Sequence, residues 1–490
     1  MSDRLLVIDE GTSSARAMLF DTDGKSLGLA QYPVNSQYPQ PGWVEQDAEE
    51  IWQLTRAAAG ALVEQAGGAN RIAAIGITNQ RETIVFWDRR SGRPLAPAIV
   101  WQDRRTASFC NELKLAGHEP ALQAATGLLL DPYFSASKIR WALDHWPQLK
   151  DAGDNLAIGT IDSWLIFRLT GGLHVSDATN ASRTALMGLT GGWDEALLDL
   201  FGVPRSALPE ICDSAGQLGT TLADHFGGAI PVCGIAGDQQ AAAIGQACFT
   251  AGDTKATYGT GAFVLTHAGD SPPVSHHRLL GTVAWQLGGA RRYALEGSLF
   301  VAGSMMQWMR DQLGLIGTAA ESESLASSVA DSAGVTFVPA FAGLGAPHWD
   351  ADARGAIFGL TLGANRAHIA RAALEAVANQ TFELQRSFAA DGIRWSSLRI
   401  DGGMAANGFL AQDLADLLAL DVERPANIET TALGAAMLAG VGAGLFTSLD
   451  EAASAVRGEV STFAPGMDPA ARAARVAAWD KAVEGVRGLN

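Results

Sequence analysis

The stretch Leu5-Leu6-Val7-Ile8-Asp9-Glu10-Gly11-Thr12-Ser13-Ser14-Ala15-Arg16-Ala17-Met18-Leu19-Phe20 reads as strand, tight turn, strand. The continuous apolar run Leu5 to Ile8 has the pattern of a central strand. Gly11 to Ser14 supply the turn, Arg16 to Phe20 resume as a strand, and Asp21-Thr22-Asp23-Gly24 turns again. A β-hairpin here excludes two other phosphate-binding designs. A Walker loop needs strand, loop and helix with Gly-Lys-Ser/Thr, and a Rossmann turn needs Gly-x-Gly-x-x-Gly; neither pattern is present at this place.

Outward from this hairpin, Lys255 to Tyr258, Gly259-Thr260-Gly261 and Ala262 to Thr266 repeat the order of strand, Gly-Thr turn and strand about half a chain later. The repeat predicts two related domains. Each half also carries a helix of small residues. Gly237-Asp238-Gln239-Gln240 leads into Ala241–Ala247, and Glu429-Thr430-Thr431 leads into Ala432–Gly440. Ala and Gly on a helix face let two backbones approach closely, so the pair reads as a contact at the domain interface, with ordinary tight core packing as the alternative. The boundary falls at residues 246–252, giving domains 1–248 and 249–490.

The composition agrees with this division. A chain of 490 residues, 48% hydrophobic and 18% charged, is globular and too large for one core; two or three domains together bury roughly three quarters of the unfolded surface. Its 52 acidic against 35 basic residues give a net charge of −17, which argues against nucleic acid or an anionic membrane as partner. Cys110, Cys212, Cys233 and Cys248 lie far apart without Cys-x-x-Cys spacing, which disfavours zinc and suggests a reducing compartment. Met1-Ser2-Asp3-Arg4 runs directly into a strand, so no secretory signal is expected. Thr430 to Leu449 is uncharged over twenty residues, long enough for a membrane span, but it is built of Ala, Thr, Ser and four glycines with few large apolar side chains. It reads instead as a helix buried between protein surfaces, in a cytoplasmic protein without a membrane span.

Five motifs have the residue types for chemistry. In the first hairpin, Asp9 at a strand end is suited to Mg²⁺, and Thr12, Ser13, Ser14 and Arg16 supply donors for an anion that Gly11 lets approach; a plain turn rich in Gly, Ser and Thr is the alternative. Glu10 adds negative charge beside any phosphate there. In the second hairpin, Thr260 and its glycines form either an opposing phosphate cradle or a plain turn that uses glycine for positive φ. Asp401-Gly402-Gly403-Met404-Ala405-Ala406-Asn407 follows the strand Leu398–Ile400 and offers flat backbone to a ring such as a purine, with Asn407 one turn into the next helix; a simple strand-to-helix turn is the alternative. Asp238 stands at a helix start, either as an N-cap or as a general base facing a cleft. Asn79-Gln80-Arg81-Glu82-Thr83 and Trp101-Gln102-Asp103-Arg104-Arg105 join charged and aromatic groups in a mix that suits a small polyhydroxylated ligand, or else form a surface ion pair beside a buried tryptophan.

With these motifs placed, the chain resembles the FGGY carbohydrate kinase family from about residue 5 to 485. The motif behind the family's name appears as Ile357-Phe358-Gly359-Leu360, followed by His368-Ile369 and Ala372-Ala373-Leu374-Glu375. Tyr133-Phe134-Ser135-Ala136-Ser137-Lys138-Ile139-Arg140-Trp141 matches a second signature, with Ala142 where a bulkier apolar residue is usual. Pro41 to Glu45, Gly76 to Thr83, Thr179 to Thr184, Gly234 to Gln240 and Gly343 to Pro347 resemble its glycerol-phosphorylating branch.

The resemblance implies an α/β protein of two actin-like ATPase (ribonuclease H-like) domains, each a mixed five-stranded sheet flanked by helices, around a central cleft. It implies ATP, Mg²⁺ and glycerol as ligands, with Asp9 toward the metal and Asp238 as general base. Thr12, Ser13, Ser14, Arg16 and Thr260 would grip phosphates, and Gly303, Gln307, Gly403 and Asn407 would hold adenosine. The family's glycerol contacts fall on Arg81, Glu82, Trp101, Tyr133, Asp238, Gln239 and Phe263, and every one of those residue types is retained. A related C4–C5 polyol or small ketose is the alternative acceptor. Family members are often homodimers or homotetramers. Two departures stand out: Glu10 replaces the usual Gln, and His225-Phe226-Gly227-Gly228-Ala229-Ile230 lacks the arginine of the loop that binds fructose 1,6-bisphosphate in some bacterial members.

Overall fold

The run Leu5–Ile8 forms the middle of β1 (Arg4–Glu10), buried from Leu5 onward. The structure is a computed structural model that describes residues 3–350 and 352–488. β1 pairs antiparallel with β2 (Ser14–Phe20), which pairs antiparallel with β3 (Ser26–Pro33). On its other side β1 pairs parallel with β4 (Ile72–Asn79). β5 (Ala215–Thr220) is the edge strand and β6 (Pro231–Gly237) lies between it and β4, in the order β5-β6-β4-β1-β2-β3.

The second half repeats the plan. β7 (Asp253–Tyr258) and β8 (Ala262–Gly269) form its hairpin, and β9 (Leu280–Leu287) and β10 (Ala290–Leu299) continue antiparallel. β11 (Ser397–Asp401) and β12 (Val422–Pro425) add in parallel, and β13 (Val460–Phe463) closes the edge, in the order β9-β10-β8-β7-β11-β12-β13. Both sheets therefore share five strands of one topology: β3-β2-β1-β4-β6 and β10-β8-β7-β11-β12. The expected five-stranded sheets are these cores. Edge strands extend them to six in the first half and seven in the second. A further five-stranded sheet of short pieces, including Ile84–Asp88 and Leu156–Thr160, was not apparent in the sequence.

Side-chain alternation sorts β1 between two layers. Leu6 and Ile8 face α1 (Ala48–Ala66) through Ile51, Trp52, Ala58 and Leu62. Leu5 and Val7 instead join a core with Ala241 and Ile244 of α2 (Asp238–Gly245) and Ala432 to Ala439 of a later helix, Thr430–Gly442. These two small-residue helices cross in contact. A Cβ on Gly434 would run into the Ala241 carbonyl, and one on Gly245 into the Thr430 carbonyl. The later helix also lies on the first sheet, where a Cβ on Gly76 would collide with the Ala435 carbonyl. The helix expected between protein surfaces is thus found between the two sheets. Among the described residues no helix is long and apolar enough to cross a membrane.

Candidate active site

Asp9 and Glu10 end β1 and, one residue apart, point to opposite faces of the sheet. Asp9 stands directly across from Arg16 on β2, which engages its Oδ2 and reaches Glu429 Oε2 at 3.1 Å. Burial raises the Asp9 carboxyl's pKa and the nearby Asp238 adds to this, against the pull of Arg16. Glu10 corrects the expectation of charge beside the phosphates. It lies under α1, fully buried, where its Oε2 accepts a hydrogen bond from Thr55 Oγ1 at 2.7 Å. Burial pushes this carboxyl well up, which favours the neutral acid, and the backbone of β1 separates it from the turn.

The two hairpin turns are both open to solvent at their tips. Ser13 is exposed, Thr12 and Ser14 are half-buried, and Thr12 Oγ1 accepts from Trp101 Nε1 at 2.9 Å. In the second turn Thr260 is exposed. Neither Gly259 nor Gly261 has positive φ; Gly261 is needed for close approach, since a Cβ there would meet the Leu299 carbonyl. The start of α3 (Gly303–Asp311) is pressed against this turn, with a Cβ on Gly303 only 2.5 Å from the Gly259 carbonyl oxygen. Gly402 does the same from the end of β11: φ is 85°, and its Cβ would lie 2.5 Å from the Tyr258 carbonyl oxygen. Gly403 beside it is exposed and faces open space. Gly303 and Gly402–Gly403, of the stretch expected around adenosine, are thereby gathered at one turn, with Gln307 exposed on α3. Asn407 is not one turn inside a helix. It is the N-cap of α4 (Gly408–Leu418), its side chain accepting from Leu410 N–H at 3.0 Å while its Nδ2 faces Ser322 Oγ at 3.4 Å.

The polyol residues also converge. Arg81 and Glu82 occupy the turn after β4, and Glu82 takes the left-handed φ of 59° that non-glycine residues rarely adopt. Trp101 packs edge-on to Tyr133 at 5.6 Å and to Phe263 at 6.4 Å between ring centroids, so aromatic groups from both halves meet. Asp238 is the first residue of α2, one past the cap position that Gly237 holds. Its side chain stays 34% exposed, and its Oδ1 lies 3.1 Å from Arg81 Nε and accepts the Gln239 N–H at 2.7 Å. Gln239 is buried, its Oε1 accepting from Lys255 Nζ.

Three buried charges at the site carried no assigned role in the sequence. Lys255 lies in β7 and its ammonium pKa is lowered by burial, against Asp401, Asp238 and Glu296. Arg183 was visible only inside a longer motif. Glu296 lies in β10, where its carboxylate accepts from Arg81 Nη1 at 2.6 Å and from Arg183 Nη2 at 2.9 Å. Burial would push Glu296 up, but Arg183 and Arg81 outweigh it and hold the carboxyl at about 2. The available signal was a charged residue inside an apolar strand, as in Tyr293-Ala294-Leu295-Glu296, which demands a buried partner.

Comparison with known proteins accords with this geometry. The N-terminal domain of the FGGY family of carbohydrate kinases matches residues 4–245, and the C-terminal domain matches residues 254–443. A glycerol kinase of Gluconobacter oxydans is 54% identical over 487 residues, 98% of this chain and 95% of its own length. A glycerol kinase of Aromatoleum aromaticum is 53% identical over 490 residues, covering 99% of both. The crystal structure of Plasmodium falciparum glycerol kinase with ADP is similar with a TM-score of 0.93 at 37% identity, covering 99% of this chain and 98% of that one. Two matched domains in chain order, and relatives similar over nearly the full length, lead to one assignment: the chain belongs to the FGGY family of carbohydrate kinases.

Proposed function

We propose that this chain transfers the γ-phosphoryl group of ATP to a terminal hydroxyl of glycerol, forming sn-glycerol 3-phosphate. The observation that carries the reading is Asp238: a part-exposed carboxylate 3.1 Å from Arg81, in a recess where aromatic side chains of both halves meet. Glycerol kinases more than half identical over the full chain support glycerol as the acceptor.

In this reading residues 1–248 hold the polyol and the first phosphate turn, and 249–490 hold adenosine and the second. Arg81, Glu82 and Gln239 fix glycerol hydroxyls, while Trp101, Tyr133 and Phe263 cover its carbon edge. Asp238 accepts the hydroxyl proton as the new O–P bond forms and the bond from the γ-phosphorus to the bridging oxygen breaks. Backbone N–H groups of the turns at Gly11–Ser14 and Gly259–Gly261, with Thr12 and Thr260, bind the phosphates. Gly303, Gln307, Gly403 and Asn407 flank the adenosine. Mg²⁺ is usually held by one or two carboxylates with water and substrate oxygens, and Asp9, a buried carboxylate at the end of β1, would hold the ion through water. Bound there, the ion neutralises charge on the transferring phosphoryl group. We place the reaction in the cytoplasm, where ATP is available and the four cysteines stay free thiols, and take a homodimer or homotetramer as the working assembly.

The test is ADP release measured with a panel of three- to five-carbon polyols and ketoses. Glycerol is expected to give the highest kcat/KM. A four- or five-carbon acceptor turned over more efficiently would replace glycerol while keeping the chemistry, and no acceptor-dependent release would reject the reading.

A further inference from the structure

Glu296 never reaches the cleft: it is fully buried in β10, with Leu295 and Gly297 on either side. Yet two arginines from the other half of the chain end on it. Arg81 gives it both terminal nitrogens, Nη1 at 2.6 Å and Nη2 at 3.2 Å. Arg183 gives it Nη2 at 2.9 Å. The remaining nitrogen of interest is the same in each case. Arg81 turns Nε to Asp238 Oδ1 at 3.1 Å, and Arg183 turns Nε to Glu82 Oε1 at 2.7 Å. Arg81 thus leans on Glu296 with both terminal nitrogens and Arg183 with Nη2 alone, and each sets Nε beside a carboxylate of the polyol site.

This arrangement has a chemical consequence. A guanidinium pairs most strongly with a carboxylate through two parallel N–H donors. With its terminal nitrogens taken, Arg81 cannot grip Asp238 through them, and Asp238 retains oxygen lone pairs for a substrate hydroxyl. Arg81, Arg183, Glu82 and Glu296 also sum to zero charge, so the cluster is buried without an uncompensated ion. We propose that Glu296 is a positioning residue of the polyol site: it holds both terminal nitrogens of Arg81 and Nη2 of Arg183 so that Asp238 and Glu82 each meet a single Nε and stay free to engage the acceptor alcohol. The proposal rests on the phosphoryl-transfer reading above and adds a residue that does not itself touch substrate.

The test compares wild type with Glu296→Gln, which keeps shape and removes charge, and Glu296→Asp, which keeps charge on a shorter arm. Steady-state constants for glycerol and ATP are measured on material whose folded fraction is set by thermal melting. In Glu296→Gln the glycerol KM is expected to rise roughly tenfold or more with a lower kcat, while the ATP KM stays within about twofold. Glu296→Asp should fall between that variant and wild type. If wild type releases no ADP with glycerol, the reaction assignment fails and takes the proposal with it. If wild type is active and the variants keep its glycerol KM, or lose glycerol and ATP affinity equally, the positioning role is overturned while the reaction stands. Should Glu296→Gln not fold, the same split is read from Glu296→Asp, and an unchanged glycerol KM there overturns the role.

Discussion

Asp238 remains one-third open although β6, which leads into it, is buried from Val232 to Gly237. Its place at the end of a buried strand fixes the backbone while the side chain still reaches solvent. Asp238→Asn keeps the shape and removes the proton acceptor, so kcat is expected to fall about 10²–10⁴-fold. The ATP KM should stay near wild type; an unchanged kcat would remove Asp238 from the role of base. A second residue-scale prediction concerns His174, packed edge-on to Trp87 at 4.9 Å. Burial lowers its pKa from 6.5 to about 4. The folded state then binds fewer protons than the unfolded chain between these values, so stability is retained above pH 6.5 and lost as pH falls toward 4, by on the order of 3 kcal/mol. His174→Gln should flatten the dependence of urea midpoint on pH across that window, and parallel curves for the two proteins would refute the assignment. Much at this scale was legible beforehand. The hairpin turns and the motifs that hold Arg81 and Trp101 are local in sequence, whereas Phe263 was expected beside them only through the family resemblance. Glu296 was not legible, because its partner Arg81 lies 215 positions away and a strand pattern does not say what faces a lone charge. Glu10 was misread for the opposite reason: nearness in sequence to Asp9 says nothing once alternation sends the two side chains to different layers.

Among the elements, the crossing of α2 with the Thr430–Gly442 helix depends on the missing side chains of Gly245 and Gly434. Gly434→Ala places a methyl group against the Ala241 carbonyl on the facing helix, and the resulting overpacking should cost about 1–3 kcal/mol in urea unfolding. The control is Gly60→Ala in α1, where nothing lies within 4 Å of the added Cβ. There the gain in helix propensity should stabilise by up to about 1 kcal/mol. Equal effects at the two sites would show that the helix contact is not tight. The close approach was suggested by the runs of Ala and Gly in these segments, with ordinary tight core packing as the other reading. The Gly259–Gly261 turn was half readable: of its two readings, a phosphate cradle or a turn using positive φ, the second fails, and at Gly261 neighbouring backbone is what excludes a Cβ.

On the scale of the whole molecule, the repeated hairpin suggested two related domains, and the family resemblance supplied the expectation of a five-stranded sheet in each. The small sheet containing Ile84–Asp88 escaped notice because several of its strands, such as Glu45–Gln46 and Ala98–Ile99, span only two residues and show no periodicity. The polyol residues lie mainly before position 248 and the adenosine residues after it, so both ligands are expected to draw the halves together. Titration calorimetry should find glycerol binding tightened by a non-hydrolysable ATP analogue, and the analogue's Kd tightened by glycerol by the same factor. Independent affinities would mean that the ligands do not communicate through the cleft. The helix Thr430–Gly442 bears on more than the mature enzyme. It covers Leu5 and Val7 of the first sheet, yet it is made late in translation. During synthesis the leading half must therefore wait on the ribosome with one apolar flank of its sheet bare until residue 442 has emerged, which marks this nascent chain as a client for chaperones that shield such surfaces.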